Sequence, residues 1–216
     1  MVTLVEELVL LAIEDDGSVA YTAGAPGFGM AVIGAALVEL NQLGRVDADA
    51  HALKVLSKEP TGQAALDRVL AEVVAQDELP VDQAVRALFI HAPEVVRLAL
   101  AALASRGILH PEEKRFLWVL KSRRYPITDG REQKEAKLRI LHSLLGDDLP
   151  TPHDSALIGL AAAGGLLEAF LSTAEIARLE KRLEDIGGLD LIARGVETAI
   201  QEENAERAKA AMLPPY

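Results

Sequence analysis

The stretch RGILHPEEKRFLWVLKSRRYPITDG, residues 106–130, is where the periodicity of the chain changes. Elsewhere apolar residues recur at helical spacing. Here they alternate, so Phe116, Trp118 and Leu120 fall on one strand face and Leu117, Val119 and Lys121 on the other. Ile108 and Leu109 precede a turn signal, Pro111-Glu112-Glu113-Lys114, and the spacing predicts a hairpin of Ile108–His110 with Phe116–Lys121, about residues 108–121. Extended to Arg139, the segment holds ten of the 22 Lys and Arg residues against five acids. It is therefore +5, which leaves −16 for the rest of a chain of net charge −11. A basic hairpin with an aromatic centre, inside an acidic chain, is the feature expected to meet a partner.

Two sets of candidate residues follow from that stretch. Phe116, Trp118 and Leu120 are expected to mediate self-association: the strand pair is apolar on both faces, and an exposed edge offers unpaired N–H and C=O groups to a second copy. Lys121, Arg123 and Arg124, beside Tyr125, form the densest cation cluster. They are candidates for contact with phosphate, on lipid or on nucleic acid.

Outward from the hairpin the chain reads as helix. Thr3 with Glu6 and Ser172 with Glu175 are capping boxes. Gly44, Gly107 and Gly146 close helices, and Pro93 sits in the first turn of another. Ser18–Ala23 reads as a short strand, Gly24–Gly29 as a loop before a helix from Met30, and Arg45–Leu56 as a second small hairpin. Half of the residues are apolar and only 4% aromatic, with Ala and Leu supplying the bulk. That favours helix packed on helix. The expected fold is mostly α: one globular helical domain over residues 1–213 with one or two small β-hairpins, and a frayed tail at 214–216.

Several chemistries find no support. Without Cys there is no disulfide framework, thiolate metal site or Cys nucleophile. No two of His51, His91, His110, His142 and His153 stand three to five residues apart, so no local metal pair exists. The loop at Gly24–Gly29 fails the Walker pattern, since Met30-Ala31 follow Gly29, and the dinucleotide pattern, since residue 32 is Val. No metal, cofactor or catalytic residue is expected, and the chain is read as non-enzymatic. The start MVTLVEELVLLAIEDD lacks a basic n-region, and no apolar run approaches the ~20 residues of a membrane span. The expectation is a soluble, cytoplasmic protein whose membrane contact, where present, is peripheral on the inner face.

Five blocks, TLVEELVLLAIEDDGS (3–18), ALVELNQLGRV (36–46), PTGQAALDRVL (60–70), LASRGIL (103–109) and RYPITD (124–129), resemble in order and spacing the Golgi phosphoprotein 3 family. The resemblance covers about residues 2–200. It implies a largely helical domain with a protruding hairpin used in self-association. Its eukaryotic members bind phosphatidylinositol 4-phosphate at the membrane and retain glycosyltransferases in the Golgi. Their headgroup pocket uses a Trp before the second helix, a cation on that helix, and two cations on the helix leading into RGIL. The matching positions here are Gly24, Ile33, Pro93 and Val96, with Tyr21 the nearest aromatic and Arg97 one residue on. The chain also starts directly at the domain, as a prokaryotic-type member would. The implied function is a peripheral membrane or adaptor-type binding domain with a degraded phosphoinositide pocket, its lipid or anion contacts drawn from Tyr21, Arg97, Lys121, Arg123 and Arg124. The implied partners are an anionic lipid surface and a second copy of the chain, with no cargo identified. A winged-helix-like nucleic-acid binder is disfavoured by the charge of −11 but stays open, as does a cytosolic scaffold without lipid.

Overall fold

The computed structural model describes residues 2–19, 26–49, 51–76, 78–116 and 120–212, with only the backbone of 113–116 and 120–123. Its elements in order are α1 (Leu4–Leu11), α2 (Pro26–Gln42), β1 (Val46–Ala48), β2 (Leu53–Val55), α3 (Ala64–Val74), α4 (Val81–Leu88), α5 (Ala92–Ser105), β3 (Glu112–Phe116), β4 (Leu120–Arg124), α6 (Arg131–Leu145), α7 (Pro152–Ala163), α8 (Thr173–Gly187) and α9 (Leu191–Ala211). The fold is mostly α, with two antiparallel strand pairs, β1–β2 and β3–β4.

α2 is the centre of the packing. It is buried on nearly every side, as expected of a helix apolar all round. It meets α1, α3, α4, α5, α7 and α9. Gly34, in its middle, is explained by crowding: a methyl there would lie 2.3 Å from Val196 Cγ2 and 2.8 Å from Leu160 Cδ2. The run Val81–Ser105, α4 through a 3-10 turn into α5, is by length and composition able to cross a membrane, contrary to the sequence expectation. One face of it packs inward, with Val85, Leu88, Val95 and Leu103 fully buried in the same core as α1 and α2, while Ile90 is 78% exposed.

The capping boxes at Thr3/Glu6 and Ser172/Glu175 are formed, as is a third cap at Thr151, which accepts from the Asp154 N–H. Two local expectations are corrected. α2 begins at Pro26, so Pro26–Gly29 is its first turn rather than a cradle-like loop. There Gly27 and Gly29 let α2 approach the end of α7 and the Phe89 ring, which a methyl at Gly29 would meet at 2.5 Å. Of the strand predicted at Ser18–Ala23, Val19 forms a single bridge to Ile13, and residues 20–23 lie outside the described set.

The basic hairpin is also shifted. β3 and β4 pair with Glu112 opposite Arg124, Glu113 opposite Arg123, Lys114 opposite Ser122, Arg115 opposite Lys121 and Phe116 opposite Leu120. The residues read as a turn, Glu112 to Lys114, are strand. This register sets Glu112 and Glu113 opposite arginines but Arg115 opposite Lys121, so charge does not choose it; it pairs five residues on each strand, where Ile108–His110 offered the predicted hairpin only three. Ile108–His110 pairs instead with the chain after the hairpin, through the bridge Leu109–Ile127 and the bonds His110 N–H to Pro126 O (2.9 Å) and Thr128 N–H to Ile108 O (3.0 Å).

Candidate functional site at the base of the hairpin

Among the described residues, β3 and β4 make their contacts chiefly with each other, so the hairpin is an arm held at its base. The clamp comes from the turn after α1. The Arg124 guanidinium pairs with Asp16 Oδ2 at 2.7 Å and donates to Asp16 O at 3.2 Å. The Tyr125 N–H donates to Gly17 O at 2.7 Å. Gly17 has φ +78°, and a methyl there would lie 2.8 Å from Pro126 N, so both the turn and the close approach require glycine.

Beside this base, between it and α5, lies a cleft of about 380 Å³. Leu100, Ala101, Ala104 and Pro111 give it an apolar floor and side, and Arg97, Glu112 and Tyr125 supply its polar groups. Its width follows from α5: Arg97, Ala101 and Ala104 share one helical face, and after Arg97 that face carries only methyl groups. The Arg97 side chain is 58% exposed and pairs with Glu94 at 3.7 Å, longer than a hydrogen bond.

A second polar assembly sits under α1 and was not legible in the sequence. All eight residues of α1 are buried, Glu6 and Glu7 included, where helical periodicity predicted one apolar stripe. Glu6 closes the capping box and pairs with Arg106 at 2.6 Å. Glu7 pairs with Arg139 at 2.7 Å and with His153 Nε2 at 2.8 Å, and Arg139 Nε lies 3.0 Å from Asp154 Oδ1. Glu39 of α2 points at the start of α1, where the Val5 N–H donates to its carboxylate at 3.4 Å. Burial pushes Glu39 up to about 7, against the backbone N–H groups of Leu4 and Val5 and with help from the Glu6 charge. The hydrogen bond to Glu7 holds His153 above the usual imidazole range. The only early sign of this assembly was two glutamates inside an otherwise apolar helix. His153, which no spacing in the sequence singled out, is a member of it.

The predicted site residues are only partly brought together. Arg97 reaches the cleft and Arg124 clamps the hairpin base. Lys121 and Arg123 lie on β4, one and two register steps nearer the hairpin base than Leu120 and Lys121 respectively, with side chains outside the described set. Phe116 and Leu120 are opposed across the hairpin, their side chains likewise outside it. Tyr21 and Trp118 lie outside the described residues altogether. Of the positions matching the family's headgroup pocket, Ile33 is fully buried and Val96 nearly so, while Pro93 is exposed in the first turn of α5. Phe28, in the first turn of α2, is buried at 4% exposure and presents no aromatic to a membrane interface. Among the described residues no group of His and acidic side chains is placed to hold a metal ion.

No curated protein matches the chain at a significant level. The family described as Golgi phosphoprotein 3 (GPP34) matches residues 4–203, a span running from the first residue of α1 well into α9. It takes in the hairpin, its Asp16–Arg124 clamp and the cluster beneath α1, and over that span the chain belongs to the Golgi phosphoprotein 3 family.

Proposed function

We propose that this chain is a non-enzymatic peripheral membrane or adaptor-type binding domain that works through its basic hairpin. The observation that carries the reading is the division of charge and packing. A segment of +5 is built around an arm that leaves the core at a clamped base, on a body of −16. Cations near anionic headgroups contribute about 1 kcal/mol each, so an arm that presents several of them can seat a protein whose body the same surface repels. Family membership supports an adaptor-like role. The apolar, buried Ile33 and Val96 support a domain without the phosphoinositide pocket of eukaryotic relatives. Trp118, between β3 and β4 in the sequence, is the residue assigned to a membrane interface or to a second copy.

The deciding experiment is co-sedimentation with anionic and neutral vesicles at low and physiological salt, beside a duplex-DNA shift assay. The expected result is binding to anionic vesicles that weakens with salt, with no preference for phosphatidylinositol 4-phosphate over phosphatidylserine at matched charge. A shifted duplex without vesicle binding would favour the nucleic-acid reading, and neither response would favour a scaffold.

A further inference from the structure

We infer that the cleft between α5 and the hairpin base is a headgroup site for a zwitterionic phospholipid, taking the phosphoethanolamine group, with Arg97 on the phosphate and Glu112 on the ammonium. The inference rests on the lipid-binding reading above and names a ligand and a place for it.

Three properties of the cleft point to this chemistry. First, its polar groups have opposite signs: Arg97 and Glu112 both line it, yet they form no ion pair with each other. A purely anionic ligand would meet Glu112 and Glu94 as well as Arg97, on a chain already at −11. A ligand carrying phosphate and ammonium satisfies both ends and adds no net charge to be repelled. Guanidinium presents a donor fork suited to phosphate, and a carboxylate accepts the N–H bonds that a primary ammonium offers and a quaternary one lacks. Second, the volume of about 380 Å³ lies near the lower end of the range of small-ligand sites, roughly 300–1,000 Å³. That admits a headgroup and leaves the acyl chains in the bilayer. Third, the site is fixed before binding. Tyr125 is held through its backbone by Gly17, and Arg124 of the same turn by Asp16. The floor of Leu100, Ala101 and Ala104 belongs to a core helix. The ordering cost then falls on the exposed Arg97 and Glu112 side chains alone.

The site also differs from the pocket expected by resemblance. It uses the face of α5 that carries Arg97, Ala101 and Ala104, whereas Val96 faces the core.

The test is an NMR titration of the full chain with glycerophosphoethanolamine, glycerol phosphate and ethanolamine in turn, followed by flotation with phosphatidylethanolamine-containing and pure phosphatidylcholine vesicles. Resonances of Arg97 and Tyr125 are expected to move with glycerophosphoethanolamine. Arg97→Ala should weaken that binding by about tenfold or more, as loss of a charge-assisted hydrogen bond does. Glu112→Gln should weaken it while strengthening the binding of glycerol phosphate, from which it removes a like charge. Both side chains are exposed, so both variants should melt like the wild type. Flotation should favour phosphatidylethanolamine, and lose that preference in both variants. Absence of shifts at these residues, or shifts indifferent to both substitutions, would overturn the site. Binding of the soluble compound without vesicle preference would overturn the lipid as its source. Anionic-vesicle binding that persists in both variants, with no phosphatidylethanolamine preference in the wild type, would leave the peripheral-membrane reading standing and remove this one; no binding to any vesicle would remove both.

Discussion

Glu7 and His153, 146 residues apart in sequence, meet at 2.8 Å beneath α1, and the same carboxylate holds Arg139 at 2.7 Å. One buried acid on the first helix thus ties α6 and α7 to it. Leaving the partners of a buried carboxylate uncompensated costs about 3–5 kcal/mol in fully buried pairs. Arg139 and His153 are each more than a third exposed at the side chain, so solvent screens part of that.

Glu7→Gln is therefore expected to destabilise the chain by about 2 kcal/mol, read from urea denaturation with an unchanged m-value. In the same variant the His153 titration, followed by NMR, should fall back towards the ordinary imidazole value, because the bond to Glu7 is what raises it. An unaltered His153 titration would show that the contact does not exist in solution.

Stability should also fall as pH rises from about 5 to 8. Folded Glu39 keeps its proton up to about 7, whereas the unfolded chain releases it near the ordinary glutamate value, so the unfolded state binds fewer protons across that window. His153 has the same sign: its raised folded value adds stability that is complete below the unfolded imidazole value and lost as pH climbs through the folded one. The Glu39 contribution is at most about 3 kcal/mol. Denaturation at pH 5 and pH 8 should show the loss, and Glu39→Gln should reduce it; an equal slope in that variant would contradict the assignment.

Gly34→Ala replaces a poor helix former by the best one, and still should destabilise. The gain in helix propensity is about 1 kcal/mol. The new methyl would overlap Val196 Cγ2 and Leu160 Cδ2, and overpacking in a filled core costs about 1–3 kcal/mol. A lower thermal midpoint is expected, with partial recovery when Val196→Ala is added. A raised midpoint would mean that α2 and α9 are not packed as closely as this.

Trp118→Ala separates two roles for the hairpin. If Trp118 joins one copy to another, the variant is a folded monomer at micromolar concentration, because interface energy concentrates on such residues. If it belongs to a monomer core, truncation costs about 3–5 kcal/mol and the variant melts early. Self-association predicts the first outcome, checked by sedimentation velocity and melts on one preparation. A wild type already monomeric at tens of micromolar would end that hypothesis.

The sequence by itself determined the helical class, the two hairpins, and most helix ends. These depend on neighbours a few residues apart: Thr3 reaches the Glu6 N–H within one turn, and Gly44 and Gly107 take positive φ where helices stop. The blocks that carry the family resemblance were equally legible, because they are local strings. What the tertiary structure decided depends on long-range geometry. The register of β3 with β4 turned on which segments pair over five residues, a choice between two pairings that alternation alone does not rank. The cluster of Glu6, Glu7, Glu39, Arg106, Arg139 and His153 draws on four helices and the end of a fifth, and no spacing rule links residues so distant. Arg97 and Tyr125 became lining residues of one cleft only because Gly17 and Asp16 fasten the hairpin base close to α5. Burial and contact are properties of the packed chain, and side chains separated by a hundred residues acquire them only when the core has closed.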